Sequence, residues 1–444
     1  MQRIKFEELK STIKKAFIRA GMSEDQAEIC AQTHAETSCD GIFSHGLNRV
    51  ERFVNYIENG WVNLGAKPNL EQQLGSIEIY NGNLAPGVTN AFFAMDRAID
   101  IAKTTGLGLV SLNNTTHWMR GGTYGWHAAN QGMIGICWTN TESCMPAWGA
   151  TSASIGNNPF VIAIPRHEGH VVLDMAMSQY SYGKLENTRL NNEKLPYAGG
   201  FDSDGLLTDD PGEIEKTRRL LPTGYWKGSS FAIMLDLLAS LLSNGKTTAA
   251  VDQYGYGNCG GCSQVFIAIP RQEGHVVLDM AMSQYSYGKL ENTRLNNEKL
   301  PYAGGFDSEG LLTDDPGEIE KTRRILPTGY WKGSSFAIML DLLASLLSNG
   351  KTTAAIDQYG YGNCGGCSQV FIAIDPLKMN DQPFVDQALK QTIEHLRQAT
   401  PVTEGGEILY PGERSLRNRR ENLVKGVPVH ESVWEKVKKL AGLE

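Results

Sequence analysis

Apolar residues at Phe6, Leu9, Ile13 and Phe17 recur at helical spacing and stop before Gly21, predicting a first helix from Phe6 to Ala20. Ser23, with Gln26 three residues on, has the form of a capping box and opens a second helix running to about Ser38. A loop, "CDGIFSHGLNR", feeds a third helix that stops at Gly60. From about Ser76 the pattern shortens to strand-like runs alternating with helices: "IEIYN", "GLGLVSLNN", "IGICWTN", "PFVIAIP", "VVLDMAM" and "QVFIAI". The helix "NAFFAMDRAIDIAKTTG" falls between the first two. "PFVIAIPRHEGHVVLDMAM" reads as a hairpin turning near Glu168–Gly169, and "SSFAIMLDLLASLLSNG" as an apolar helix closed by Gly245. Helical spacing returns from Phe384 to Arg397 and from Ser432 to Leu440. The fold class expected is α/β, with a helical domain over 1–75 to which 376–444 returns, and an α/β domain over 76–375.

The chain also matches itself at an offset of 105 residues. Pro165–Ile269 repeats as Pro270–Ile374, so the tandem copies are 165–269 and 270–374. They differ only as His167 against Gln272, Asp204 against Glu309, Leu220 against Ile325, and Val251 against Ile356. Solenoids need three or more small units, so one large block copied once is a different event. Ile-Ala-Ile stands at 162–164, 267–269 and 372–374, where a crossover between similar strands would leave it. Without one block the chain has 339 residues, the 444 less 105. Residues 1 to x joined to x + 106 onward restore that shorter chain for any x from 164 to 269. Sequence therefore leaves open which block is supernumerary. A long insertion costs little in a surface loop, so one composite copy is expected to fill the native place while the other hangs outside or docks on it.

Composition narrows the class. Hydrophobic content of 41% with 20% charged residues fits a soluble globular chain. No run of about 18 apolar residues exists, and the charged N-terminus lacks the apolar core of a signal peptide, so a cytoplasmic protein with no membrane partner is expected. A net charge of −8 without a basic, aromatic-interleaved stripe argues against nucleic acid. Eight cysteines in 444 residues are no disulfide framework.

Four constellations could carry chemistry. "SHGLNR" supplies Ser44, His45 and Arg49, and "NNTTHWMRGG" supplies His117 and Arg120. Histidine is a natural proton donor to a carbonyl, and arginine grips a carboxylate through two parallel hydrogen bonds; both histidines could equally be ordinary loop residues. "GYWKGSS" places Trp226 and Lys227 before the apolar helix, with Ser229 and Ser230 as candidate N-caps. Free N–H groups and a lysine suit a phosphate, although a capped helix with an exposed lysine is the plainer reading. No strand followed by G-x-G-x-x-G occurs, so a standard Rossmann fingerprint is absent. "CGGC" at Cys259–Cys262 and Cys364–Cys367 came twice with its block, and no metal site is expected of it.

"SHGLNRVERFV", "NNTTHWMRGGTYGWHAA", "IGNNPFVIAIP", "LDMAMSQYSYGKLE", "RRLLPTGYWKGSS" and "LYPGERS", in this order, resemble the malate and L-lactate dehydrogenases that lack a Rossmann fold. "HWMRGG" with "CWTN" and "GYWKGS" points to the diketogulonate branch rather than to malate or ureidoglycolate. The resemblance implies an NAD-binding α/β domain of non-Rossmann type and reduction of a 2-keto acid. Hydride would pass from NADH (or NADPH) to C2, turning 2,3-diketo-L-gulonate into 3-keto-L-gulonate. It implies His45 as proton donor, with His117, Ser44, Arg49 and Arg120 holding the substrate. It maps cofactor contacts onto His170, Val171, Val172, Leu173, Asp174, Met175 and Ala176, onto Trp226 and Lys227, and onto Gly412, Glu413 and Arg414. Second-block equivalents are His275, Val276, Val277, Leu278, Asp279, Met280 and Ala281, with Trp331 and Lys332. It also implies a homodimer. His45, His117 and the "PGER" loop are single, so one chain is expected to complete one site, and a catalytically silent scaffold is the rival outcome.

Overall fold

The computed structural model describes residues 4–42, 45–141, 144–147, 150, 153–165, 170–252, 262–264, 281–348, 352, 354–355, 381–401, 406–410, 413 and 417. Three helices open the chain: α1 (Phe6–Arg19), α2 (Glu24–Cys39) and α3 (Val50–Glu58). Their apolar stripes meet in one cluster around Ile13, Phe17, Ala31, Phe53 and Ile57. Only half of the expected capping box forms. The Ser23 side chain accepts from the Gln26 backbone N–H at 3.3 Å, but the Gln26 amide donates to the Leu64 carbonyl at 3.0 Å.

Strands start earlier than the hydrophobic pattern indicates. β1 (Asn69–Leu74) is mostly exposed and carries "NLEQQL", which gives no apolar alternation to read. It pairs antiparallel with β2 (Ile77–Asn81); α4 (Gly87–Thr105) then crosses over to β3 (Leu109–Thr115), parallel to β2. α5 (Gly122–Asn130) precedes β4 (Gly135–Trp138), the short pair β5 (Met145–Pro146) and β6 (Ala153–Ile155), and then β7 (Phe160–Ile164) and β8 (Val171–Met175). β4, β7 and β8 form an antiparallel sheet with β7 central. The turn near Glu168–Gly169 lies outside the described residues.

Each block folds to the same small unit. The first has α6 (Tyr182–Leu190), the strands β9 (Gly200–Phe201) and β10 (Leu207–Thr208), α7 (Pro211–Thr217) and α8 (Trp226–Ser243). α9 (Thr248–Val251) and β11 (Cys262–Gln264) follow, and β11 pairs with β3 in the order β1-β2-β3-β11. The second block repeats this as α10 (Tyr287–Leu295), β12 (Gly305–Phe306), β13 (Leu312–Thr313), α11 (Pro316–Thr322) and α12 (Trp331–Ser348). The apolar helix begins at Trp226, so Ser229 and Ser230 lie inside its first turn rather than capping it; Tyr225, at φ +60°, holds the cap position.

The surroundings of the copies differ. α8 runs through the core, where Ile233 is 4% and Leu235 1% exposed, whereas Ile338 and Leu340 at the same places of α12 are 54% and 42% exposed. Side chains from the sheets satisfy carbonyls of α8: Trp138 Nε1 donates to Leu235 at 3.2 Å, Asn158 to Ala232 at 2.8 Å and Ser111 to Leu242 at 2.9 Å. The first block through β11 therefore fills the native place and the second docks on it, as the insertion argument expected. α13 (Gln382–Gln398) packs on α8, α9 and β6. Its buried face (Ala388, Leu389, Leu396) joins the main core, so this part of 376–444 joins the α/β body, whereas the expected return was to the helical unit. The strand over 265–269 and the helix at Ser432–Leu440 lie outside the described residues. Among the described residues no helix is long and apolar enough to cross a membrane.

Candidate active site

His45 is set by the end of α2. The Ser38 hydroxyl donates to the His34 carbonyl and accepts from the Leu47 backbone N–H, each at 2.8 Å, tying the 45–47 turn to that helix. Gly46 makes the close approach possible, because a Cβ there would lie 2.8 Å from the Ser38 nitrogen. Arg49 ends the short 3-10 turn Leu47–Arg49 and holds the cap position of α3.

His117 comes from the loop leaving β3. Met119 takes the left-handed conformation (φ +64°), which is strained for a residue with a side chain, and its N–H donates to His117 Nδ1 at 3.0 Å. Nδ1 is thereby the acceptor, and the neutral ring carries its proton on Nε2. The two imidazoles stack with centroids 5.9 Å apart and planes 18° apart.

Both rings line a cavity of about 230 Å³ together with Arg49, Arg120, Asp174 and Ala176. Sequence reading missed Arg52, Tyr56, Thr139, Asn157 and Tyr182 in the same wall. Arg52 was within reach, lying one helical turn beyond Arg49; the rest come from separate loops and give no local signal. Burial first, then the Arg49 and Arg120 guanidinium groups, hold His45 down to about 3, and burial, then Arg49, keep His117 well below its usual range. Both imidazoles are thereby neutral at pH 7. Asp174 accepts from the Gly122 N–H at 3.0 Å and stands 3.6 Å from Arg120 Nε; burial raises its carboxyl, against the pull of Arg120. Arg120 also pairs with Asp40. Cationic groups and neutral histidines around a small cavity suit an organic acid carrying a carbonyl.

The remaining expected positions scatter. His170 bonds Asn130 at 3.0 Å and does not line the cavity; Val171 to Met175 form β8, whose Asp174 does. Trp226 is partly exposed. Lys227 is buried but points away from the histidines, donating to the carbonyls of Ala281 (2.7 Å) and Ser283 in the second block. Lys332 is the lysine that reaches the cavity wall, donating to the carbonyls of Ala176 (2.9 Å) and Ser178. Glu413 is clasped by Arg397 at 3.2 Å and Arg417 at 2.9 Å. Ser44, Gly412, Arg414, His275 to Met280 and the cysteines 259, 364 and 367 lie outside the described residues. Among the described residues no group of three or more His, Cys, Asp or Glu could hold a metal ion.

A nicotinamide cofactor is compatible with these surroundings. Past Ala176, Ser178 Oγ and Gln179 Nε2 are buried with no hydrogen-bond partner among the described residues, so polar groups are on offer beside the cavity.

The sequence pattern of the malate/L-lactate dehydrogenase family matches residues 4–269 and again 254–438. A 2,3-diketo-L-gulonate reductase of Salmonella heidelberg (strain SL476) is 49% identical over 267 residues, covering 60% of this chain and 80% of that protein. A malate dehydrogenase structure from Pyrococcus horikoshii OT3 matches at TM-score 0.54 and 29% identity, over 60% of this chain and 75% of its own. A delta1-piperideine-2-carboxylate reductase from Pseudomonas syringae pvar. tomato matches at TM-score 0.55 and 26% identity, over 60% and 81%.

Proposed function

The chain belongs to the malate/L-lactate dehydrogenase family and is an oxidoreductase of 2-hydroxy and 2-keto acids, and from that premise we propose that it reduces 2,3-diketo-L-gulonate to 3-keto-L-gulonate at the expense of NADH. The observation that carries the reading is the stacked His45–His117 pair beside Arg49 and Arg120 in one small cavity. A nicotinamide bound beside the cavity would supply hydride chemistry at C2. Arg49 holds the substrate carboxylate through paired hydrogen bonds. His117, its proton fixed on Nε2 by the Met119 N–H, donates a hydrogen bond to a neighbouring substrate oxygen. His45 gives its proton to the C2 oxygen as the carbonyl becomes a hydroxyl, so one hydride and one proton complete the reduction. Trp118 and Met119 complete the wall. Cofactor contacts fall to the β8 segment through Ala176 and to the Trp–Lys helix start, and Ser44, Gly412 and Arg414 belong to the same proposal. A cytoplasmic setting is proposed on the family resemblance.

The proton must be taken up before it is given. An anionic substrate offsets the guanidinium charges that depress His45, so its affinity for a proton rises when the site fills. Binding of oxalate, a mimic of the keto-acid carboxylate, is therefore expected to take up about one proton near neutrality and to weaken by up to about tenfold per pH unit as pH rises from about 3 towards the raised pKa of the bound ring. Calorimetry in buffers of differing ionisation enthalpy reads that proton directly; pH-independent binding without uptake contradicts the assignment.

Substrate choice is tested by NADH oxidation with 2,3-diketo-L-gulonate offered beside pyruvate and oxaloacetate. Preference for the diketo acid by about 100-fold or more in kcat/KM is expected, as for a site that bonds substrate hydroxyls. A preference for oxaloacetate or pyruvate overturns the substrate and leaves the reaction class standing.

A further inference from the structure

The two blocks touch each other by the same contacts in both directions. Lys227 reaches the carbonyls of Ala281 and Ser283, and Lys332 reaches those of Ala176 and Ser178. Tyr197 lies on Tyr330 with centroids 4.6 Å apart, and Tyr302 on Tyr225 at 4.4 Å. Phe231 and Phe336, the same residue of each block, stack at 5.5 Å with planes 10° apart. Gly224 and Gly329 (both φ +61°) stand back to back: a Cβ on either would come within 3.2 Å or 3.1 Å of the other's nitrogen. Contacts of this reciprocal kind define an isologous interface, in which one surface meets its own copy about a two-fold axis. A chain with a single block exposes that surface and can cover it only with a second chain. This chain carries both halves.

The arrangement is symmetric at the contact but not at the site. His45 and His117 occur once, beside Asp174 and Ala176 of the first block. Lys332 alone of the two lysines is therefore delivered to their cavity wall, by the second block. Lys332 is 4% exposed, and its charge opposes that of Asp174. Burial draws it down to about 7, against Asp174, whereas Lys227 in the reciprocal place has no histidine pair before it.

We propose that the second block takes the place of a partner subunit: one chain closes the two-fold contact on itself and completes its site as a monomer, with Lys332 as a positioning residue that braces the Ala176–Ser178 segment of the cavity wall. The assignment of Lys332 rests on the nicotinamide-dependent reading above, whereas the assembly does not.

The test compares the full chain with a 339-residue form in which residue 269 is joined to residue 375. Sedimentation is expected to give a 48.7 kDa monomer for the full chain and a dimer for the single-block form. NADH turnover per chain should stay constant for the full chain from about 10 µM to 10 nM and fall at least about tenfold for the short form as it dissociates. Any other pairing of masses, or parallel loss of turnover on dilution, overturns the proposal. If neither form turns over, the functional reading fails and sedimentation still decides the assembly. Lys332→Met in the full chain, with its mass unchanged, is expected to raise the NADH dissociation constant by about tenfold in a fluorescence titration. Unchanged NADH affinity removes Lys332 from the site.

Discussion

His45→Asn is expected to lower kcat for keto-acid reduction by about 10²- to 10⁴-fold, the usual contribution of a positioned proton donor. The ring occupies a half-buried place in the wall of the cavity and faces His117 at 5.9 Å. Asparagine keeps a polar side chain there but cannot deliver a proton near neutral pH. KM should change little, because Arg49 remains to hold the carboxylate, and an unaltered KM with a collapsed kcat marks an interaction made in the transition state. The thermal midpoint should hold to within a few degrees, since the imidazole is neutral when the cavity is empty and Ser38 anchors the turn through the backbone. His117→Asn, by contrast, is expected to affect both constants, its role being to bind and orient. A His45→Asn enzyme retaining turnover within about twofold of the parent would show that the proton comes from elsewhere.

Leu235→Ala should cost about 2–5 kcal/mol of stability and Leu340→Ala no more than about 0.5 kcal/mol, although they are one residue of one repeated helix. Leu235 is 1% exposed in the main core, and truncating it leaves a void that surrounding side chains fill only partly. Leu340 is 42% exposed on the outer face of α12, where water occupies whatever space the change opens. Denaturant unfolding followed by circular dichroism measures both. Equal costs would mean that the chain uses the blocks interchangeably, and a larger cost at Leu340 would mean the opposite assignment of core and insert.

Helices α1 and α4 and strands β2, β3, β4, β7 and β8 were legible from their own apolar patterns, and α2 from the cap signal at Ser23. β1 was not, its polar residues lying on an exposed face that hydrophobic patterning does not see. The site was legible to the extent that single side chains announce their chemistry: His45, Arg49, His117 and Arg120 meet as the residue types suggested. Thr139, Asn157 and Tyr182 join them only through folding, since nothing near each in the chain marks it. The lysine could not be assigned from sequence at all. Lys227 and Lys332 sit in the same words, "GYWKGSS", and only the crossed contact between blocks decides which of them meets the cavity.

The outer face of α12 has a genetic consequence. Ile233 and Ile338 began as the same codon, yet selection for packing acts on the first and hardly on the second. The residues of the second block that meet the first, Lys332, Tyr330, Phe336 and Gly329, make the same contacts as their counterparts. Drift in the copies should therefore be lopsided, accumulating charged and polar codons at 338 and 340 while the contact surface stays fixed. Each such change also erodes the DNA identity through which recombination could delete a block. The copies thus become harder to merge as the spare one adapts to water.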